Sequence, residues 1–426
     1  MVVTDIMPGD LAVRGCIRPT ALRIWAAREG LEAKCSREGE RLIAHSSGSP
    51  GCFGGWDIVF PVQGGQHYRV GLSYATSGMA SVLDGMPIFV FWTDDEDKRV
   101  DYDYLVIHEP DSPAGRAERV FRCPDDATRA VLRCGVRWTA TGRAEFSDPA
   151  VEAVEAPPRR VHRIAVAAEA PSSPASVADN VRQYVGLARE AAELRPDLVL
   201  MPEIILQLGL PSPAYQHSIT IPGPETEAFA AVAAEHEMMI AFSTMEADSD
   251  LYFNTLVLFG PDGAILGTYR KTHLAVMEGW EGTTPGDELP VIDTPIGRVA
   301  CTICKDSSIV EASRVPAMRG AEVMLLPIMG DHRAVQWGWA PGTFSPDRWK
   351  VIMRARAMEN HMWLVVARNN REGSCIVSPS GDILAWNDGR QRIIVAECDI
   401  GERLRTFRGS TFADSTWAER RPHLYC

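Results

Sequence analysis

The spacing of apolar and polar residues changes once along this chain, near residue 158. Before that point, apolar residues alternate with polar ones in short runs such as "LRIWAA", "HYRVGLSYAT" and "TRAVLRCGVRW". Runs of this kind, separated by clusters of Gly, Pro, Asp and Ser, predict antiparallel strands that bury one face each. Residues 1–158 are therefore predicted to form an all-β, sandwich-like accessory domain. The polar, Pro-rich segment "EAPPRR", residues 155–160, is the predicted linker.

After the linker, predicted strands alternate with predicted helices. "RIAVAAEA" and "DLVLMPE" have the unbroken apolar character of buried strands, and the segment between them places Val177, Val181 and Val185 on one helical face. The segment "NTLVLFGPDGAILGTYR" predicts a hairpin, because "PDG" favours a tight turn. Strands that alternate with helices indicate a layered α/β domain, which we place at residues 159–404.

Charge and composition narrow the range of functions. The chain has 426 residues and a formal net charge of -13, without blocks of Lys or Arg, so we expect neither nucleic acid nor an anionic membrane as a partner. No apolar run is long enough to cross a bilayer, and the start "MVVTDIMPGD" lacks the basic and apolar parts of a signal peptide. We therefore expect a cytoplasmic protein.

Three chemically useful side chains follow predicted strands of the α/β part. Glu203 follows "DLVLMP", Lys271 ends the second strand of the hairpin, and Cys304 follows "RVACTI". Clefts in α/β folds lie at the carboxyl ends of strands, so these side chains can converge there. A thiol becomes a nucleophile with the help of a base or a cationic neighbour, and a Lys can stabilise an oxyanion. A helix predicted to begin around Ser307–Ser308 would place its positive end near the thiol.

The two cysteines of "VACTICKD" are expected to differ. Cys301 shares one strand face with Val299 and Ile303, so its thiol is predicted to be packed in the core. The ten cysteines show no zinc-binding spacing, and the Cys301–Cys304 pair lies in a strand pattern rather than at a loop-to-helix start. Cys304 is therefore the candidate nucleophile.

These motifs resemble the nitrilase superfamily of carbon–nitrogen hydrolases. "LVLMPEI", "YRKTHL" and "ICKDSSIVEASR" look like the Glu, Lys and Cys segments of the family, in the family's order. "RGAEVMLLP", "RARAMENHMWLVVARN" and "GSCIVSPSGDILAW" are also similar to the family's later segments. The resemblance covers roughly residues 162–403. It implies a four-layer α-β-β-α domain that works without a metal or a cofactor.

The resemblance also implies a role for each matched residue. Glu203 would be the general base, and Cys304 would attack the substrate carbonyl and form a thioester. Lys271 would stabilise the oxyanion together with the backbone N–H of Lys305. Glu278 would be the second glutamate, which holds Lys271 or the substrate. Glu281 is the less favoured alternative for that role.

The resemblance leaves the substrate open. Asp306, two residues after the nucleophile, is similar to amidase branches, so a small-molecule amide is the expected substrate. The alternatives are an N-carbamoyl amide hydrolase, a nitrilase, an acyltransferase that forms amides, and, in another class, an inactive protein that binds ligands through its sandwich. We expect Lys305, His332 and Trp337 to contact the substrate, since the latter two lie in a Gly- and Pro-rich loop suited to a lid. Lys305 could also lower the pKa of the neighbouring thiol or meet an anionic group of the substrate.

Two expectations concern the rest of the chain. The family commonly assembles through a helical face, so we expect a homo-oligomer. The tail at residues 405–426 carries apolar side chains with little core of its own, which suggests a place at that interface. Its apolar side chains are Phe407, Phe412, Trp417, Leu424 and Tyr425. The accessory domain is faintly similar to carbohydrate-binding sandwiches, but its aromatic side chains are expected to face its own core. They are Trp56, Tyr68, Trp92 and Trp138.

Overall fold

The computed structural model divides into two compact units. It describes residues 2–6, 11–15, 17–107, 112–330, 332–336, 343–406, 409–421 and 424. One unit combines Met1–Pro158 with Arg403–Cys426, and the other is Arg159–Glu402. The chain thus leaves the first unit after Pro158 and returns to it after Glu402. Among the described residues, no helix is long and apolar enough to cross a membrane.

The first unit is the predicted all-β sandwich. A six-stranded sheet has the order β1-β2-β5-β10-β7-β8, and a five-stranded sheet has the order β3-β4-β11-β6-β9. Neighbouring strands are antiparallel throughout. The strands are β1 (Val2–Ile6), β2 (Ala21–Ala26), β3 (Lys34–Glu38), β4 (Arg41–His45), β5 (Phe53–Pro61), β6 (His67–Ser77), β7 (Ile88–Thr93), β8 (Arg99–Tyr104), β9 (Ala114–Arg122), β10 (Arg129–Arg137) and β11 (Arg143–Val154), and the short helix α1 is Val82–Gly85.

The sandwich core contains three of the four aromatic residues expected there. Trp56, Tyr68 and Trp92 are buried in one apolar cluster with residues of both sheets. Trp138 is the exception, since 41% of it is exposed. It follows β10 in a left-handed backbone conformation with φ of 52°, and the guanidinium of Arg137 lies 4.3 Å from its ring centre. The change of backbone direction at the strand end turns this side chain out of the core.

The C-terminal tail is attached to the sandwich by ion pairs. Arg405 donates to Asp103 at 2.8 Å, and Arg119 pairs with Asp414 at 2.6 Å. The final helix of the chain begins with a Thr cap and lies in this tail. The tail therefore completes the first unit instead of extending the second.

Burial in the tail differs among the apolar side chains expected at an oligomer interface. Trp417 is only 5% exposed, so it packs within its own chain. Phe412 is 49% exposed and Leu424 is 67% exposed. Phe407 and Tyr425 lie outside the described residues. The interface stays a prediction, for Phe412 and Leu424 rather than for Trp417.

The second unit is built on two six-stranded sheets. Their orders are β16-β15-β14-β13-β12-β25 and β17-β18-β19-β22-β23-β24. The strands are β12 (Val161–Ala167), β13 (Leu198–Leu200), β14 (Met239–Asp248), β15 (Leu251–Phe259), β16 (Ile265–Arg270), β17 (Val291–Thr294), β18 (Gly297–Cys301), β19 (Val323–Ile328), β20 (Val335–Gln336), β21 (Thr343–Phe344), β22 (Trp363–Arg368), β23 (Cys375–Val377), β24 (Ile383–Trp386) and β25 (Ile393–Asp399). The helices are α2 (Val177–Ala192), α3 (Pro224–Glu235), α4 (Val276–Trp280), α5 (Val310–Met318), α6 (Pro346–Asn360) and, in the tail, α7 (Phe412–Ala418).

Apolar side chains on both faces of each sheet produce four layers. One cluster joins the facing sides of the two sheets and includes Val166, Leu200, Cys301 and Leu325. A second cluster joins the other side of the first sheet to α2 and α3. On the second sheet, α6 packs on β22 and β23, and α5 packs beside α6. The predicted α-β-β-α architecture is confirmed.

Candidate active site

The three predicted catalytic side chains come together at strand ends of the second unit. Glu203 follows β13, Lys271 follows β16 directly, and Cys304 follows β18 by three residues. All three line one cavity of about 270 Å³. Glu203 and Lys271 follow strands of the first six-stranded sheet, and Cys304 follows a strand of the second. The packing of the two sheets against each other therefore brings the three side chains into one place.

Lys271 is the centre of a buried charge cluster. Its Nζ donates to Glu203 Oε1 at 3.0 Å and to the two carboxylate oxygens of Glu278 at 2.8 and 2.7 Å. Burial alone would lower the pKa of Lys271, but the negative charges around it, led by Glu203, raise its pKa above the usual range. The ammonium is therefore charged, and its three N–H groups all have acceptors.

Asn254 fixes both carboxylates and was not found from the sequence. Its Nδ2 donates to Glu203 Oε1 at 3.0 Å and to Glu278 Oε1 at 3.3 Å, and its Oδ1 accepts from the Ser243 hydroxyl at 2.9 Å. Asn254 is 1% exposed. The signal was present in "YFNTLVLF", where one amide interrupts an apolar strand, because a buried amide needs hydrogen-bonding partners.

Cys304 occupies a constrained turn at the edge of the cavity. Its φ is 45°, a left-handed conformation that costs energy for a residue with a Cβ and that often occurs at functional sites. The thiol Sγ lies 3.8 Å from the carbonyl oxygen of Gly330. Glu203 Oε2 accepts from the backbone N–H of Met329 at 3.0 Å. The segment after β19 thus contacts both groups.

The thiol of Cys304 is protonated in the resting state. Burial raises its pKa above the usual range, the Glu203 charge raises it further, and the positive charge of Lys271 offsets only part of this rise. Lys305 is not among the causes that shift this pKa, so its expected effect on the thiol stays a prediction. The expected helix dipole is weaker, because a short 3-10 turn, Cys304–Ser308, comes first and α5 begins only at Val310.

Asp306 joins the lysine segment to the cysteine segment. Its Oδ2 accepts from the Tyr269 hydroxyl at 2.7 Å and from the Ile303 N–H at 2.8 Å. Its Oδ1 accepts from the His273 N–H at 2.9 Å and faces His273 Nδ1 at 2.8 Å. The carboxylate is fully buried. Its partners Tyr269 and His273 flank Lys271, and its partner Ile303 precedes Cys304, so it connects the two segments.

Cys301 has the predicted core position. It is 1% exposed and lies between the two sheets with Val299 and Ile303. Burial raises the pKa of its thiol to about 12. A protonated thiol away from the cavity has no route to a substrate.

The cavity is also lined by side chains that the sequence did not single out. Tyr215, Met245, Thr283 and Met329 line it, together with Glu281. Of the predicted substrate contacts, the Lys305 side chain is exposed and is absent from the lining formed by the described residues. His332 lies in a short 3-10 turn, but its side chain is outside the described residues, as is all of Trp337. These three contacts stay predictions.

Comparison with known proteins identifies the family. The carbon-nitrogen hydrolase family model matches residues 163–406, more than half of the chain. The chain belongs to the carbon–nitrogen hydrolase family. The resemblance to the nitrilase superfamily is thereby confirmed.

Relatives of this carbon–nitrogen hydrolase include amidases. The omega-amidase NIT2-B of Xenopus laevis is 29% identical over 240 residues, which is 52% of this chain and 83% of the relative. The human omega-amidase NIT2 is 28% identical over the same coverage. The family model shows a carbon–nitrogen hydrolase, and the amidase activity is that of these relatives.

Solved structures support the fold. An amidase from Nesterenkonia sp. is 22% identical with a TM-score of 0.50, over 62% of this chain and 95% of that one. The C. elegans NitFhit protein is 23% identical with a TM-score of 0.51, over 62% of this chain and 66% of that one. At these identities the likeness concerns the fold alone.

Proposed function

We propose that this enzyme hydrolyses the C–N bond of a small-molecule amide through a thioester on Cys304, with Glu203 as base and Lys271 as oxyanion ligand. One observation carries the proposal. A thiol lies in the same cavity as a carboxylate whose position is fixed by an ammonium, an amide and a backbone N–H. Nucleophile, base and electrophilic donor are then all within one site, as acyl transfer requires.

In the first step, the Cys304 thiol gives its proton to Glu203 as its sulfur attacks the carbonyl carbon. Because the pKa of the thiol is raised, the resting site does not contain a preformed thiolate. Deprotonation by Glu203 and attack on the carbon therefore proceed together. The proton then passes from Glu203 to the leaving nitrogen, the C–N bond breaks, and an amine or ammonia departs. The acyl group remains on sulfur as a thioester.

Lys271 stabilises the negative charge on the substrate oxygen during this step. In the resting site it makes two contacts with Glu278, and one of them can be exchanged for the substrate oxygen while the other keeps the ammonium in place. A fixed cation in a site that excludes water stabilises a developing oxyanion without reorganising. Glu278 is thus a positioning residue for Lys271.

In the second step, Glu203 takes a proton from water, and the resulting hydroxide attacks the thioester carbon. The C–S bond breaks, the carboxylic acid leaves, and the sulfur recovers its proton. One carboxylate serves both half-reactions, so the same hydrogen bonds that fix Glu203 for acylation also serve deacylation.

Paired cysteine variants test the proposal. Cys304→Ala should remove turnover and leave the unfolding temperature nearly unchanged. Cys301→Ala, a matched thiol deletion three residues away, should keep turnover even if it unfolds more easily. With a slow amide, intact-mass analysis should show an acyl adduct on Cys304 of the wild type. An active Cys304→Ala, or an adduct on another residue, would contradict the assignment.

The substrate class is tested by release of ammonia or amine over a panel. The panel should contain amides, N-carbamoyl amino acids and nitriles of equal size. We expect amides to be turned over fastest. A higher kcat/KM for nitriles or carbamoyl compounds would replace the amide in the proposal and leave the Cys304 chemistry in place.

A further inference from the structure

The charges around the candidate active site are unbalanced. Among the described residues, the acidic and basic side chains that line the cavity are Glu203, Glu278, Glu281 and Lys271, with a formal charge of -2. The only cation of this lining, Lys271, is held by two of the carboxylates. A substrate carboxylate would therefore meet negative charge in this cavity, and the described lining residues offer it no spare cation.

Glu281 contributes negative charge without taking part in the buried cluster. In the described part of the chain, its carboxylate has no ion-pair partner, and its side chain is exposed at the cavity. Its backbone is nevertheless fixed, because its N–H donates to the Met277 carbonyl at 2.8 Å and the nearby Thr283 N–H donates to the Glu278 carbonyl at 2.9 Å. The backbone that carries this carboxylate is thus fixed beside the cavity.

An aromatic ring lies near the backbone that follows Glu281. A Cβ added at Gly282 would come within 3.9 Å of Tyr215 Cε1, so the chain next to Glu281 runs along the Tyr215 ring. Tyr215 also lines the cavity, and the Tyr252 ring supports it at a centroid distance of 5.0 Å. A carboxylate and a supported aromatic ring that line the same cavity are a favourable environment for an ammonium group.

We infer that the cavity selects amides whose acyl chain ends in a positively charged group, and that Glu281 with Tyr215 binds that charge. This inference rests on the proposed amide hydrolysis and adds the charge class of the substrate. Residues 337–342, which continue the chain beyond the described part of the loop, contain neither Lys nor Arg. An ω-ammonium group, with an ordinary pKa near 10.4, is charged at neutral pH.

A series of three amides with the same four-methylene spacer tests this selection. They are 5-aminopentanamide, hexanamide and the monoamide of adipic acid, which end in an ammonium, a methyl and a carboxylate group. We expect kcat/KM to be about five- to tenfold higher for the ammonium than for the methyl compound, as an exposed ion pair and a cation–π contact together allow. The carboxylate compound should be the poorest, and added salt should reduce the differences.

Substitution of Glu281 tests whether this residue causes the preference for the ammonium compound. In Glu281→Gln, the ratio of kcat/KM between the ammonium and methyl compounds should fall to near one, mainly through a higher KM for the ammonium compound. In Glu281→Lys, the order of the ammonium and carboxylate compounds should reverse. Glu288→Gln, which removes an exposed carboxylate outside the cavity lining, should keep the wild-type ratio.

The outcomes separate this inference from the proposed function. Turnover of all three amides with equal kcat/KM, or a preference that persists in Glu281→Gln, would overturn the inference and leave amide hydrolysis intact. Acylation of Cys304 by hexanamide but not by 5-aminopentanamide would overturn it as well. A complete lack of both turnover and Cys304 acylation with the series and the wider amide panel would instead remove the proposed function, and the inference with it.

Discussion

Replacing Glu203 by Gln should make the Cys304 thiol easier to ionise, even though the variant should lose turnover. Burial raises the pKa of this thiol, and the charge of Glu203 and its hydrogen bond with the thiol raise it further, whereas the charge of Lys271 lowers it. The substitution removes two of the causes that raise the pKa and keeps the one charge that lowers it. Lys271 stays charged, because Glu278 still accepts two of its hydrogen bonds.

The size of the effect follows from Coulomb's law. Two unit charges about 4 Å apart interact with about 4 kcal/mol at an effective dielectric constant of about 20. About 1.4 kcal/mol corresponds to a factor of ten in the population of the thiolate. If loss of the Glu203 charge changes the ionisation free energy of the thiol by only a third of this value, the thiolate fraction near neutral pH should rise by about tenfold. The pH profile should move toward lower pH, since a thiol with a lower pKa loses its proton earlier as pH rises.

The assay is the rate of iodoacetamide labelling of the Cys304 peptide between about pH 6 and pH 10, measured by mass spectrometry. The wild type should label slowly near neutral pH and faster as the pH rises. Glu203→Gln should label faster at every pH below the plateau, and Glu288→Gln should follow the wild type. Equal or slower labelling of folded Glu203→Gln would show that this carboxylate does not keep the thiol protonated.

Three further predictions concern Lys271, the Tyr269–Asp306 hydrogen bond and the oligomeric state. Lys271→Met should lower kcat by about a hundredfold or more, measured by product release, because a fixed oxyanion ligand is lost; a fully active variant would refute this role. Tyr269→Phe removes one hydrogen bond to the buried Asp306 carboxylate and should lower the free energy of unfolding by about 1.5–3 kcal/mol, measured by urea denaturation, with no change as the contrary result. The enzyme should form a homo-oligomer at micromolar concentration, and light scattering that shows only a monomer would contradict this.

Much of the fold could be predicted from periodicity. The change from alternating runs to strands interleaved with helices separates β1–β11 from the layered domain. Strands with one buried face alternate apolar and polar residues, whereas strands covered on both faces are apolar throughout. The return of the tail to the sandwich could not be predicted. It depends on ion pairs such as Arg405–Asp103, between residues about three hundred positions apart, and charged residues of this kind look like any solvated surface.

The candidate site was only partly predictable for a similar reason. Glu203, Lys271 and Cys304 stand out because polar side chains directly follow apolar strands. Asn254 acts from the middle of a strand through contacts with two other segments, which no local pattern reveals. The direction in which the pKa of the thiol shifts could not be predicted from its neighbours in sequence, because it depends on burial and on Glu203, a hundred residues away.

The return of the tail makes the hydrolase domain an insertion within the sandwich unit. The inserted domain begins and ends side by side, because β12 and β25 pair with Val161 opposite Asp399. While the inserted domain is folded, its neighbouring ends leave only a few residues at each junction to connect the sandwich with the tail. Once it unfolds, the same connection spans a flexible loop of about 240 residues.

Loop-closure entropy turns this connectivity into a coupling. Each doubling of a flexible loop costs about 0.6 kcal/mol, and the increase from a handful of residues to about 240 amounts to about five doublings. Unfolding of the hydrolase domain should therefore weaken the docking of the tail on the sandwich by about 3 kcal/mol, through the chain alone. A substitution in the core of the inserted domain can then expose Trp417 and α7 in the host domain through the connecting chain.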